Sequence, residues 1–156
     1  MATVLSAFFQ VAAGEYELPA RIWQRLRDHV DRELEWSRGR ESSRGMHSLL
    51  ATFDGPARAI RCATAIVHHA AKLGVRVRAG LHVGECEIKA NSIRGAAVDV
   101  ARQMAQHAAT MEILVSTTVR DLVTGSGIRF EAKGPLAPAN YPGSLQLLRV
   151  DIPGLA

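Results

Sequence analysis

The chain has 156 residues, of which 47% are apolar and 5% aromatic, so its length and composition predict one domain with an aliphatic core. The net charge is +4, and the basic residues are spread along the chain apart from a modest cluster at Arg38, Arg40 and Arg44. Nucleic-acid-binding domains usually show a denser basic face, so no nucleic-acid partner is expected. No stretch approaches the roughly 20 apolar residues of a membrane span, so no membrane association is expected.

The apolar start of the chain, residues 2–12, predicts a first β-strand. It lacks the basic region of a signal peptide, and its apolar run is interrupted by Ser6 and Gln10. The 2 cysteines do not form a Cys-x-x-Cys pair or a disulfide framework. Cys62 is predicted to be a small core residue, and the composition fits a reducing cytoplasm.

The next segment predicts a helix, a loop and a strand. Pro19 opens a helix over about Ala20 to Trp36, and residues Ile22, Leu26, Val30 and Leu34 share its apolar face. The polar segment from Arg38 to Ser48 contains glycines and is interpreted as a loop or a weak hairpin arm. It leads into a short apolar strand, residues 49–53.

The centre of the chain predicts a turn, a helix and a strand. Asp54-Gly55-Pro56 ends the strand and starts a helix, because proline is tolerated at the first helical position. Apolar residues then recur at helical spacing until Gly74. From Val75 to Val83 apolar residues alternate with polar ones and glycines, which is strand spacing.

The remaining third contains shorter elements. We predict strands at residues 85–89, 113–115, 128–131 and 145–150, a helix over 96–108, and a turn at Asn91, Ser92 and Gly95. Thr118 and Asp121 fit a capping box for a short helix that ends at Gly125. Residues 133–144 are predicted to be a loop. The element order indicates an α/β (α+β) fold, a single domain over residues 1–150 with helices packed on a sheet, followed by a loose tail at 151–156.

Two segments carry a resemblance to a known family. ATFDGPARAIRCA, from residue 51, and VRAGLHVGE, from residue 77, resemble the central part of a class III adenylate/guanylate cyclase catalytic domain of the bacterial branch. The resemblance implies a ferredoxin-like βααββαβ core. It also implies catalytic sites built between two subunits.

The resemblance assigns catalytic roles to specific positions. In the family two carboxylates hold two Mg or Mn ions, a lysine and an acidic partner bind the purine, one residue positions the ribose, and an arginine stabilises the transition state. Transferred to this chain, the carboxylate positions are Ala7 and His47, the purine positions Ser43 and Ser92, the ribose position Asp99, and the arginine position Gln103, with Arg102 beside it.

These replacements remove the family's chemistry. Magnesium prefers oxygen ligands, which alanine does not offer, and neutral histidine suits softer metals. Arg102 does not replace the arginine simply, because one residue along a helix rotates a side chain by about 100°. We therefore expect no catalytic residue, no metal site and no cofactor.

The resemblance leaves three functions open. The first is a catalytically inactive cyclase-like domain that acts as a dimerisation or regulatory module, as a homodimer or a heterodimer with a related cyclase domain. The second is an active or residual cyclase that acts on ATP or GTP. The third is a nucleotide or small-ligand sensor that uses the old substrate cleft through Asp99, Arg102 and Ser92.

Other clusters of polar residues carry weaker signals. His47, His82 and Cys86 lack a metal-ligand spacing. His82 lies in the family pattern Gly-Leu-His and is predicted to be a scaffold residue. His68 and His69 are predicted to be a half-exposed pair. Arg76 and Arg78 are predicted to line the polar face of a strand, with a residual phosphate-binding role left open.

Overall fold

The computed structural model describes residues 1–11, 18–42, 45, 47–90 and 92–155. Ser43, Arg44 and Asn91, named above, lie outside the described residues. The elements in chain order are β1 (Ala2–Val11), α1 (Ala20–Ser37), β2 (Arg40–Glu41), β3 (Ser48–Phe53), α2 (Pro56–Lys72), β4 (Val75–Gly84), β5 (Glu87–Lys89), β6 (Ser92–Arg94), α3 (Ala96–His107), β7 (Glu112–Ser116), α4 (Thr117–Leu122), β8 (Phe130–Leu136) and β9 (Leu145–Val150).

A 7-stranded sheet forms the centre of the molecule, in the order β2-β3-β1-β4-β7-β9-β8. Neighbouring strands are antiparallel except β4 and β7, which are parallel. β1 pairs with β4 over its whole length, with Ala7 opposite Ala79, and with β3, where Ala7 lies opposite Leu49. The predicted α/β fold with helices packed on a sheet is confirmed.

The two faces of the sheet carry different helices. Residues such as Leu5, Ala51 and Val77 pack in one core with the buried faces of α1 and α2. On the opposite face, Val4 and Leu50 pack against α3. Successive side chains of a strand point to opposite faces, so the odd-numbered residues of β1 face α1 and α2 and the even-numbered residues face the α3 side.

The central strand–turn–helix segment forms as its residues predict. Pro56 is at the first position of α2, and Gly55 precedes it in an extended conformation. Seven residues of α2, Cys62 among them, are buried against the sheet. After the helix, Gly74 adopts a φ of 76°, the left-handed conformation that glycine tolerates best.

α3 lies unusually close to β4 because two positions of that strand lack a side chain. A Cβ added to Gly80 would lie 2.6 Å from the carbonyl oxygen of Ala101 and 2.7 Å from the amide nitrogen of Ala105. A Cβ on Gly84 would lie 3.2 Å from the Cβ of Ala97. These two glycines therefore set how closely α3 packs on the sheet.

Two strand predictions were wrong in their extent. Residues 133–136, predicted as loop, continue β8, and Ile128 precedes the strand that was predicted to include it. β8 is an edge strand with a register shift between Ala132 and Gly134, which allows Gly134 and Pro135 within it. Ser92, predicted in a turn, begins β6, which pairs with β5.

The cap of α4 and the C-terminal tail also differ from the prediction. Ser116, not Thr118, caps the helix, and its hydroxyl oxygen accepts a hydrogen bond from the Val119 amide. In the segment predicted as a loose tail, Ile152 is buried in the main core and Leu155 packs against it. Apolar side chains at these two positions hold the tail on the domain.

Candidate functional site

Three of the residues assigned by the resemblance lie on the outward side of α3. Asp99 lies in the first turn and is exposed, Arg102 is exposed one turn later, and Gln103 is half-buried beside it. Residues three and four apart on a helix are surface neighbours, so Asp99 lies next to Arg102 on one side and next to Gln103 on the other. Ser92 is exposed in the hairpin that precedes α3, where its neighbour Ile93 packs against that helix.

The strand-one position behaves differently from what the resemblance assigned. Ala7 is 2% exposed and packs in the core beneath α1 and α2, so a side chain there does not reach solvent. Its two neighbours on the α3 side are Ser6, which is 2% exposed, and Phe8, which is half-buried. Ala7 itself is therefore turned into the core, and neither Ser6 nor Phe8 carries a carboxylate on the opposite face.

The guanidinium group of Arg78 lies over the ring of Phe8. The guanidinium carbon of Arg78 lies 6.0 Å from the centroid of the Phe8 ring, and the two residues are paired between β1 and β4. Arg78 also donates a hydrogen bond of 3.2 Å from Nη1 to the carbonyl oxygen of Gln106 in α3. A guanidinium held at this place repels a divalent ion, and neither Phe8 nor Arg78 supplies a ligand for one.

The hairpin position assigned to the second carboxylate is used for a ring contact. His47 lies just before β3, and its ring centroid is 4.3 Å from that of Trp23 in α1. Its carbonyl oxygen accepts a hydrogen bond of 2.8 Å from the amide of Phe9. Neither Phe8 nor His47 offers a carboxylate oxygen, the ligand that magnesium prefers.

The residue at the arginine position ties a loop to α3. The Gln103 side-chain oxygen accepts a hydrogen bond of 2.6 Å from the amide of Ala139, and its side-chain nitrogen donates one of 3.3 Å to the Ala139 carbonyl. Ala139 lies in the loop between β8 and β9. Both polar atoms of the Gln103 amide are thus engaged by the protein itself.

Replacing Gln103 with alanine is expected to release this loop. The loss of two hydrogen bonds at a partly exposed site should lower the free energy of unfolding by about 1 kcal/mol. Hydrogen exchange at the Ala139 amide should accelerate, because its acceptor is gone. Gln106→Ala is the matched control, since Gln106 is exposed on the same helix and accepts from Arg78 only through its backbone. Equal exchange in both variants would contradict this role of Gln103.

His82 is buried behind the loop, as a scaffold residue would be. It is 6% exposed, and its ring meets the Tyr141 ring edge-on at a centroid distance of 6.3 Å. Its Nδ1 is buried without a hydrogen-bond partner among the described residues. Burial lowers the pKa of His82, so the ring is neutral at pH 7.

The other titratable clusters among the described residues do not form a metal site. Within the described ranges, no group of three or more His, Cys, Asp or Glu residues is placed to hold a metal ion. His68 and His69 are both half-buried, and His69 stacks on His29 at a centroid distance of 4.0 Å and contacts Glu33 at 3.3 Å. Burial raises the pKa of the Cys62 thiol to about 12, which leaves it unreactive.

The fold was then compared with known proteins. No protein-family model and no curated protein sequence matches the chain. Solved structures do match. An adenylate/guanylate cyclase/hydrolase from Silicibacter pomeroyi superposes with a TM-score of 0.84 at 21% identity, over 99% of this chain and 97% of that one. The adenylyl cyclase CyaB from P. aeruginosa gives 0.78 at 18% identity, over 97% and 95%.

A third match is an adenylate cyclase from Trypanosoma brucei, with a TM-score of 0.80 at 13% identity, over 97% of this chain and 89% of that one. The chain therefore has the fold of the adenylate and guanylate cyclase catalytic domains. This confirms the resemblance at the level of the fold. No helix among the described residues is long and apolar enough to cross a membrane.

Proposed function

We propose that this chain is a catalytically inactive cyclase-like domain that acts as a dimerisation or regulatory module. The observation that carries the proposal is that β1 has no acidic residue and that, on its α3 side, Phe8 lies beneath the Arg78 guanidinium. A site of this kind attracts neither a divalent ion nor the metal-bound triphosphate that a cyclase converts. Nucleotide cyclisation needs that charge compensated, because the triphosphate carries several negative charges.

Gln103 supports the same conclusion from the other half of the site. An arginine at this position would stabilise charge in the transition state, whereas the Gln103 amide is neutral and bonded to Ala139. Arg102 lies about 100° further round the helix and does not share the direction of Gln103. In a mixed dimer this chain therefore contributes neither the metal ligands nor the arginine to an active partner.

The decisive test is a cyclisation assay combined with calorimetry. The purified protein is titrated with ATP and with GTP, each with Mg²⁺ and with Mn²⁺, and cyclic product is measured in the same samples. We expect no product above the protein-free control. Saturable product formation that is lost in His47→Ala or Asp99→Asn would overturn the proposal in favour of an altered enzyme.

Calorimetry separates the inactive module from a nucleotide sensor. If no nucleotide produces binding heat, nucleotide sensing is excluded and pairing between domains is the role that the fold supports. Saturable heat without product, weakened in Asp99→Asn and Arg102→Ala but not in Gln106→Ala, would replace the pairing role with ligand sensing. Asp99 and Arg102 are both exposed and three residues apart on α3, which supports testing them as the contact residues of this alternative.

The pairing itself is tested by the mass in solution. One similar structure is described as a non-canonical dimeric guanylyl cyclase domain and others as cyclases in their monomeric state. We propose that this chain dimerises at micromolar concentration, and light scattering should report twice the monomer mass. Trp36, Ile88 and Leu122 are large apolar residues exposed by 84%, 51% and 59%, and single serine variants locate the surface. A monomer at all concentrations, with no related cyclase domain bound, would contradict the module.

A further inference from the structure

A cavity of about 640 Å³ lies on the side of the molecule that carries α2, on the opposite face of the sheet from α3. Its walls are α2, the segment between α4 and β8, and the end of β9. None of the residues that the cyclase resemblance assigns belongs to it. Its volume falls within the roughly 300–1,000 Å³ typical of small-molecule sites.

The floor of the cavity is apolar and belongs to the packed core. Ile60 of α2 is 1% exposed and Val150 of β9 is 5% exposed, while Ile128 is half-buried at the side. The floor residues are fixed by the core, so the cavity does not depend on their rearrangement. An apolar ligand body would replace water chiefly on Ile128, because Ile60 and Val150 expose almost no surface of their own.

The segment that forms one wall is held in a defined turn. The Ser126 amide donates to the Val123 carbonyl at 3.0 Å, and the Ile128 amide donates to the Ser126 hydroxyl at 3.3 Å. Gly127 allows the turn through its φ of 83°. This wall is therefore shaped by its own hydrogen bonds.

The rim carries a net positive charge. Arg61 and Arg129 are both exposed at the edge, opposed by the single carboxylate of Asp151, and His68 completes the rim. The Arg61 Nη2 donates to the Ser126 carbonyl at 3.3 Å, which holds the guanidinium beside the cavity and leaves its other donors available. The ion pairs found within the described segments include neither arginine.

We propose that this cavity binds a small amphipathic monocarboxylate, with its apolar body on Ile60, Ile128 and Val150 and its carboxylate between Arg61 and Arg129. The apolar floor suits a ligand with an apolar body, and the two arginines above it suit a single anionic head group on that ligand. Guanidinium groups bind carboxylates through paired, charge-assisted hydrogen bonds. The inference does not rest on the proposed pairing function, because it uses no residue of the cyclase site.

Octanoate is the probe for this proposal, with 1-octanol and acetate as matched probes for the apolar body and the head alone. Each is titrated into the ¹⁵N-labelled protein, and amide shifts are followed. Octanoate should produce saturable shifts at Gly127, Ile128 and Arg129. Octanol should bind about tenfold more weakly, since it lacks the charge-assisted bonds, and acetate should not saturate. Octanol binding as tightly as octanoate, or shifts centred elsewhere, would overturn the proposal.

Three variants identify the head contact. Arg61→Ala and Arg129→Ala should each weaken octanoate binding by about tenfold, because each removes a charged donor. Both residues are exposed, so the fold is expected to persist, and the amide spectrum verifies this. Arg58→Ala is the matched control, since Arg58 is exposed on the same helix and does not line the cavity. Unchanged affinity in both rim variants, or an equal loss in Arg58→Ala, rules out the carboxylate contact.

Discussion

Replacing Gly80 with valine should destabilise the protein by at least about 3 kcal/mol, because a Cβ and two methyl groups would enter the space that the backbone of α3 occupies. Overpacking in a tight core typically costs about 1–3 kcal/mol when side chains can adjust. Here the atoms within 2.7 Å of an added Cβ include the Ala101 carbonyl oxygen and the Ala105 amide nitrogen, which move only with the helix. α3 must shift away from β4, and Asp99 and Arg102 must shift with it.

Urea denaturation of Gly80→Val and Gly80→Ala measures this effect. The alanine variant should lose less stability than the valine variant, in the order of the added volume. Gly55→Ala is the matched control, because a Cβ at Gly55 meets nothing within 4 Å. A Gly80→Val protein with unchanged stability would show that α3 does not pack on β4 as described.

The protein is expected to lose stability as the pH falls below 6.5, and His82 should account for much of that loss. Burial lowers the pKa of His82 in the folded state, whereas the unfolded chain protonates near the ordinary value of 6.5. Between the two pKa values the unfolded state binds more protons, so stability rises with pH and is lost on acidification. One proton accounts for at most about 1.4 kcal/mol per pH unit.

The measurement is the free energy of unfolding from pH 7.5 to pH 5 in the wild type and in His82→Gln. The variant should show a shallower slope, which is the readout even if its stability at pH 7.5 differs. His29 should preserve part of the slope, because its pKa is also lowered, chiefly by burial and then by His69 and nearby arginines. An unchanged slope in His82→Gln contradicts the buried neutral ring.

The strong periodic segments were predictable because their signals are local. The helical spacing before Gly74 and the alternation after it placed α2 and β4 within a residue or two of their observed ends. Where a predicted element was wrong, the local composition favours a structure different from the observed one. Gly134 and Pro135 suggest a loop, yet they lie in an edge strand whose irregular register accommodates them. Ser116 and Thr118 both offer a capping hydroxyl, and the backbone geometry selects Ser116.

Only part of the candidate site could be predicted from the sequence. The sequence alone shows that neither the strand-one position nor the hairpin position is an acidic residue. This holds whichever face of the sheet the side chains occupy. The roles of Phe8 and Arg78 were not predicted, because their contact depends on the pairing of β1 with β4. The hydrogen bond between Gln103 and Ala139 joins positions 36 residues apart, and no local sequence pattern predicts it.

The sequence by itself determined the type and order of most elements, the aliphatic core and the absence of the cyclase family's acids from their assigned positions. These properties depend on side-chain chemistry and on periodicities of 2 and 3.6 residues, which are local. Only the tertiary structure decided that Ala7 faces the core, that a guanidinium covers Phe8, and that a cavity with a basic rim opens beside α2. Each of these depends on strand register and on contacts between distant residues, where a shift of one residue reverses which face a side chain occupies.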